Sequence, residues 1–98
     1  MATLLVRHRV ANFDKWRQVF DRLETLREKH GFIAHSVHRD ATDPNIVVIV
    51  NHVKDLAEAK NYGQSPELHD AMAEAGVLGM PEISFLTDVE DLRVGERM

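Results

Sequence analysis

Residues 46–50, Ile46-Val47-Val48-Ile49-Val50, form an unbroken apolar run. On a strand, successive side chains point to opposite faces. Val47 and Ile49 therefore share one face, and Ile46, Val48 and Val50 share the other. A strand that is apolar on both faces is covered on both. Just upstream, Asp40-Ala41-Thr42-Asp43-Pro44-Asn45 is rich in turn formers. Before that turn, residues 32–39, FIAHSVHR, read as a second strand, so the two strands make a hairpin. Further upstream the period changes. Phe13, Trp16, Phe20 and Leu23 recur at helical spacing, with Asn12 as N-cap and Gly31 as the C′ residue, which predicts one helix over 13–30. Residues 3–10, TLLVRHRV, read as the first strand.

Downstream of the apolar run, Asp55 and Glu58 have capping-box spacing and open a helical piece that runs to Tyr62 and stops at Gly63. Ser65-Pro66-Glu67 restarts it, with Ser65 as N-cap and Pro66 at the first helical position. Leu68, Ala71, Met72 and Ala75 line one side, and Gly76 ends it. Residues 76–81 read as an apolar loop that packs on a partner or lids a pocket, 82–89 as a fourth strand, and 90–98 as a charged arm. The order β-α-β-β-α-β is the ferredoxin-like pattern. It predicts an α+β fold: a four-stranded antiparallel sheet with helices on one face. The other sheet face then lacks a cover, and a bare apolar face would be a large exposed patch. A second copy supplies the cover, sheet against sheet, so the chain is expected to form a homodimer.

The chain of 98 residues fits one domain, 1–98. Its net charge of −4 argues against nucleic-acid binding, which calls for a basic surface. The lack of cysteine excludes disulfides, thiolate metal sites and cysteine nucleophiles. No apolar run is long enough to span a membrane and no signal peptide is evident, so the expected compartment is the cytoplasm.

The chain resembles the dimeric α/β-barrel superfamily, and within it the antibiotic biosynthesis monooxygenase-like domains. The resemblance is carried by Asn12-Phe13-Asp14-Lys15-Trp16, Gly31, Arg39-Asp40, Asp43-Pro44-Asn45, Asp55, Ser65-Pro66-Glu67-Leu68 and Pro81-Glu82. It implies the barrel-like dimer. For function it implies a range: cofactor-free quinone-forming monooxygenases, haem-degrading enzymes, cyclases, dehalogenases, signal-degrading enzymes and sensors. Two positions depart from relatives. Asn51 and Val53 stand where monooxygenase-like members carry a Glu-x-Trp pair. Met72 stands near the place of a haem-ligating histidine, with His69 about a turn earlier.

Six histidines in so short a chain draw attention. His35 and His38 are spaced to point to opposite strand faces, so they make no metal clamp. His30 falls at a helix C-terminus, where a cation is favoured. Arg7 and Arg9 alternate with His8 and share the opposite face, where they pair with acids such as Asp88, the favoured reading, or bind an anionic ligand. Strands one and three are expected as parallel neighbours, which would bring His8 and the Asn51-His52 pair to one end of the sheet, with His69 facing the same space. A neutral imidazole there would take a proton from a phenol or an acidic C–H, and Asn51 would donate to the developing oxyanion. The sequence thus suggests a cofactor-independent enzyme for a small aromatic or polyketide-like substrate, with His8, Asn51, His52 and His69 as catalytic candidates and no metal. The alternative is a non-catalytic binding or structural dimer whose polar candidates do not converge.

Overall fold

The apolar run extends into a longer strand and lies inside the sheet. In the computed structural model, which describes residues 1–95, the elements are β1 (Ala2–Val10), α1 (Phe13–Arg22), α2 (Glu24–Lys29), β2 (Phe32–Arg39), β3 (Ile46–Val53), α3 (Leu56–Gly63), α4 (Pro66–Ala75) and β4 (Val77–Thr87). The four strands form one antiparallel sheet in the order β2-β3-β1-β4, which is the expected ferredoxin-like arrangement. The helix-facing side of β3 is the better buried: Val47 and Val53 are fully enclosed, each stabilising the fold by about 1.5–3 kcal/mol.

Local signals place most of the element ends. The Lys15 N–H donates to Asn12 Oδ1 at 3.0 Å, the Ala57 N–H to Asp55 Oδ1 at 2.9 Å and the Leu68 N–H to Ser65 Oγ at 3.2 Å. Each caps a helix start. Glu58 does not close a capping box; its carboxylate meets His30 Nδ1 at 3.3 Å instead. Gly76 ends α4 in the left-handed conformation, φ 77°, which a residue without Cβ adopts freely.

The structure corrects four expectations. First, β1 and β3 are antiparallel, with Leu4 opposite Asn51, Thr3 opposite His52 and His8 opposite Val47. A chain that enters β3 through a hairpin from β2 reverses direction, and β2 is the strand parallel to β1. His8 and His52 therefore lie towards opposite ends of the sheet.

Second, the helix over 13–30 is broken at Leu23. The Phe20 carbonyl accepts the Leu23 N–H at 3.2 Å and Arg27 Nη1 at 2.8 Å. A side chain inserted into the i→i−4 ladder is a known cause of such breaks.

Third, 76–81 is not a loop. β4 begins at Val77, and Gly79, Met80 and Pro81 form a bulge opposite His8, between the Arg9–Leu78 and Arg7–Glu82 pairs. Gly79 permits it with φ 72°. The strand ends at Thr87, short of the expected 89.

Fourth, Arg7 and Arg9 do pair with acids, but not with Asp88: Arg7 reaches Asp40 at 4.0 Å and Glu82 at 3.8 Å, and Arg9 pairs with Asp43 at 2.9 Å. Asp88 instead accepts from the Thr3 hydroxyl. Residues 88–95 carry no regular secondary structure, as expected of an arm, and 96–98 lie outside the described residues. Among the described residues no helix is long and apolar enough to cross a membrane.

Candidate functional site

Strand parity selects what faces the helices. On β1 these are Ala2, Leu4, Val6, His8 and Val10; on β3 they are Val47, Ile49, Asn51 and Val53. Each set is apolar except for one polar member. Between this face and the helices lies a cavity of about 120 Å³, floored by Leu4, Val6 and Ile49 and roofed by Trp16, Val19, Phe20 and Met72. Apolar cavities of about 150 Å³ admit a benzene ring. Its rim on β4 carries Pro81, Ile83 and Phe85, and the last two are 47% and 43% exposed, so the cavity opens past that edge strand.

His8 and Asn51 both line the cavity. They stand four positions apart along β1, about 13 Å at the rise of a strand, and so form two poles rather than one cluster. His8 is 8% exposed, and neither of its ring nitrogens has a hydrogen-bond partner. Its ring meets Trp16 edge-on, with centroids 5.8 Å apart. Burial pushes its pKa below the ordinary 6.5, so it is neutral at neutral pH. Asn51 is 4% exposed. Its Nδ2 donates to the Leu4 carbonyl at 3.2 Å, while Oδ1 has no partner. The free atom of Asn51 is thus an acceptor, which reverses the donor role expected from sequence. Orphaned polar atoms cost about 1–3 kcal/mol each when buried, so three of them in one cavity wall are open to a hydrogen-bonding partner, water or ligand.

The other two candidates fall elsewhere. His52 belongs to the opposite sheet face, with Nδ1 3.5 Å from the Thr3 hydroxyl. His69 is exposed on α4, while Met72, one turn further, reaches the cavity. His35 pairs with Asn51 and His38 with Val48, on opposite faces as the spacing requires.

Two wall residues escaped the sequence reading or were left open by it. Tyr62, at the end of α3, is buried against Phe32, and burial raises its phenol pKa while the charge of Arg27 and a hydrogen bond from it oppose the rise. Arg27 itself is buried. Its signal was present: Trp16, Phe20, Leu23 and Arg27 follow one helical stripe, so the arginine occupies a position where the pattern asks for an apolar residue.

Comparison with known proteins bears on both fold and family. The family model described as antibiotic biosynthesis monooxygenase matches residues 3–74. No curated protein matches. Among solved structures, SnoaB from Streptomyces nogalater, a cofactor-independent oxygenase, is similar with a TM-score of 0.75 at 19% identity, covering 93% of this chain and 95% of that one. An antibiotic biosynthesis monooxygenase gives a TM-score of 0.71 at 15% identity, covering 92% and 100%. Rv0793 from Mycobacterium tuberculosis gives 0.68 at 12% identity, covering 94% and 98%. At these identities the structural likeness speaks for the fold.

Proposed function

The chain belongs to the antibiotic biosynthesis monooxygenase family, and from that premise we propose that it is a cofactor-independent enzyme acting on a small aromatic or polyketide-like substrate. The observation that carries the reading is His8: a neutral imidazole with both nitrogens unpartnered in the wall of an apolar cavity. Such a group accepts a proton from a phenol or an acidic C–H. Asn51 Oδ1 accepts a substrate O–H and sets the orientation of the ring. The deprotonated substrate is itself electron-rich enough to react with dioxygen, or to cyclise or isomerise. The low-dielectric wall makes the contact between the imidazolium and the substrate anion stronger than it would be in water.

The test is oxygen uptake and product formation over a panel of hydroxynaphthalenes and hydroxyanthracenes. Turnover of at least one member is expected, falling by about 10²–10⁴-fold in His8→Gln. A substrate that the His8→Gln protein turns over at the native rate would remove the assignment. His52→Ala and His69→Ala serve as controls, because those rings lie off the cavity.

The assembly proposed is a homodimer. Leu5, Val48, Val50 and Leu86 share the sheet face away from the helices, where no element of the chain packs among the described residues. A second copy stacked on that face removes the apolar patch. Native mass spectrometry reports the assembly and any retained small molecule together, and a monomer at micromolar concentration would overturn this reading.

A further inference from the structure

Arg27 has no place in the proton transfer above, yet it is only 4% exposed and lines the same cavity. Arginine is almost never buried to this degree without a charged partner, because desolvating the cation costs several kcal/mol. None of the ion pairs among the described residues uses Arg27. Glu24 and Glu28 line a second cavity that Arg27 also borders, but neither carboxylate comes within ion-pair distance of it. What holds the guanidinium is weaker than a carboxylate. Its Cζ stands 3.8 Å over the Phe20 ring, and Nη1 donates to the Phe20 carbonyl at 2.8 Å.

Those contacts explain the break at Leu23, but they do not use up the group. A guanidinium carries five N–H donors in a planar fork; the Phe20 carbonyl takes one and the Tyr62 hydroxyl another, which leaves three. Among the described residues Arg27 is also the only acidic or basic side chain in the cavity wall besides neutral His8 and Tyr62: the remaining lining residues are apolar, apart from Asn51. His35, outside the cavity, has its pKa lowered by burial first and by Arg27 next, against the opposing pull of Glu24 and Asp21.

We propose that Arg27 is the specificity-determining residue of the cavity and selects substrates carrying a carboxylate or an equally compact anion, which its fork engages. This rests on the reading of the cavity as the substrate site. The anion would be held at the Arg27–Tyr62 pole, near Asn51, with the reacting ring directed along the floor towards His8. A cation already desolvated and fixed against an aromatic face has little left to lose when an anion enters, which is how preorganisation yields affinity. Arginine suits the task better than lysine because two parallel N–H bonds set the orientation of the bound acid as well as holding it.

The probes are naphthoate and naphthamide, which share shape and differ in charge. Calorimetric titration of the full chain at about pH 8, where the acid is ionised and His8 neutral, compares the two. Naphthoate is expected to bind about 10- to 100-fold more tightly than naphthamide. Arg27→Met, which keeps the apolar stem, abolishes the preference, and Arg27→Lys retains part of it. Equal binding of both probes to the native protein overturns the anion inference and leaves the cavity as a neutral aromatic site. Persistence of the preference in Arg27→Met overturns the role of Arg27. Binding of neither probe overturns the substrate-site reading together with the inference. The native comparison decides the matter even if Arg27→Met fails to fold.

Discussion

The turn that leads into β3 and the cavity that β3 helps to floor treat polar atoms in opposite ways. In the turn, Asp40 Oδ2 accepts from the Thr42 N–H at 3.0 Å, the Thr42 hydroxyl at 2.7 Å and the Asp43 N–H at 3.0 Å. Asp43 accepts from the Asn45 N–H at 3.0 Å and from Arg9 at 2.9 Å, and the Arg39 side chain donates to the Pro44 carbonyl at 2.9 Å. Each of these side chains is satisfied, although water is at hand to do the same. In the cavity, His8 and the Asn51 carbonyl oxygen are hidden from water and left unpaired. The turn is arranged for folding. The cavity keeps unsatisfied groups, as the proposed substrate site requires, and natural proteins tolerate such local costs at functional sites.

The largest expected break in that comparison is catalytic. Once a substrate is found, His8→Gln should lower turnover by about 10²–10⁴-fold, whereas Asp40→Ala in the turn should leave turnover unchanged. Steady-state kinetics on the two variants checks both halves. The next effect is on stability and has opposite signs in the two regions. Asn51→Leu removes a buried unpaired acceptor and should raise stability by about 1 kcal/mol in urea unfolding, while weakening substrate binding. Asp40→Ala should lower the urea midpoint without altering the slope, because the turn loses its shared acceptor.

The smallest effect is in the pH dependence, and it sharpens the contrast. Burial lowers the His8 pKa, so the unfolded chain takes up that proton first. Stability should therefore begin to fall as pH drops below 6.5 and continue to do so until the folded His8 also titrates. The Asp40 carboxyl is held low by the Thr42 hydroxyl and then by the Thr42 and Asp43 N–H groups. Asp43 is held low by the Asn45 N–H and then by Arg9. Their contribution is complete above 3.8 and is lost only as pH falls through their lowered folded values. Unfolding followed against pH should show the earlier loss in the native protein and a smaller one in His8→Gln, where only His35 still contributes, with the later loss in both. An identical profile in the two proteins would show that His8 is not held neutral by burial.

Much of the fold was legible because its signals are local. Asn12, Asp55 and Ser65 cap helices through bonds to an N–H two or three residues on, and the Asp40–Asn45 turn closes through its own side chains. The strand order followed from the alternation of periods. The candidate site was half legible. His8 and Asn51 stood out as chemistry-bearing residues, but the reason given for joining them, parallel strands, was mistaken. The reliable signal was parity: His8 interrupts the set Leu4, Val6, Val10; Asn51 interrupts Val47, Ile49, Val53; Arg27 interrupts Trp16, Phe20, Leu23. A polar residue in an apolar position of its element marks the wall of this cavity once the helix-covered face is known: His52 interrupts the set Ile46, Val48, Val50 in the same way but on the other face, and His69 lies off the apolar stripe of its helix.

The sequence by itself determined which elements form, where most of them start, and the family to which their order belongs. Those outcomes depend on propensity, capping and periodicity within a few residues. Only the tertiary structure decided that β1 runs against β3 with Leu4 opposite Asn51, that Gly79-Met80-Pro81 bulges out opposite His8, and that Arg27 is buried over Phe20. Each of these is set by packing on partners elsewhere in the fold. A shift of one residue in register would exchange His8 for a neighbour facing the other side. Burial, and with it the neutrality of His8 and the enclosure of Arg27 without an ion pair, belongs to the assembled neighbours and not to any residue alone.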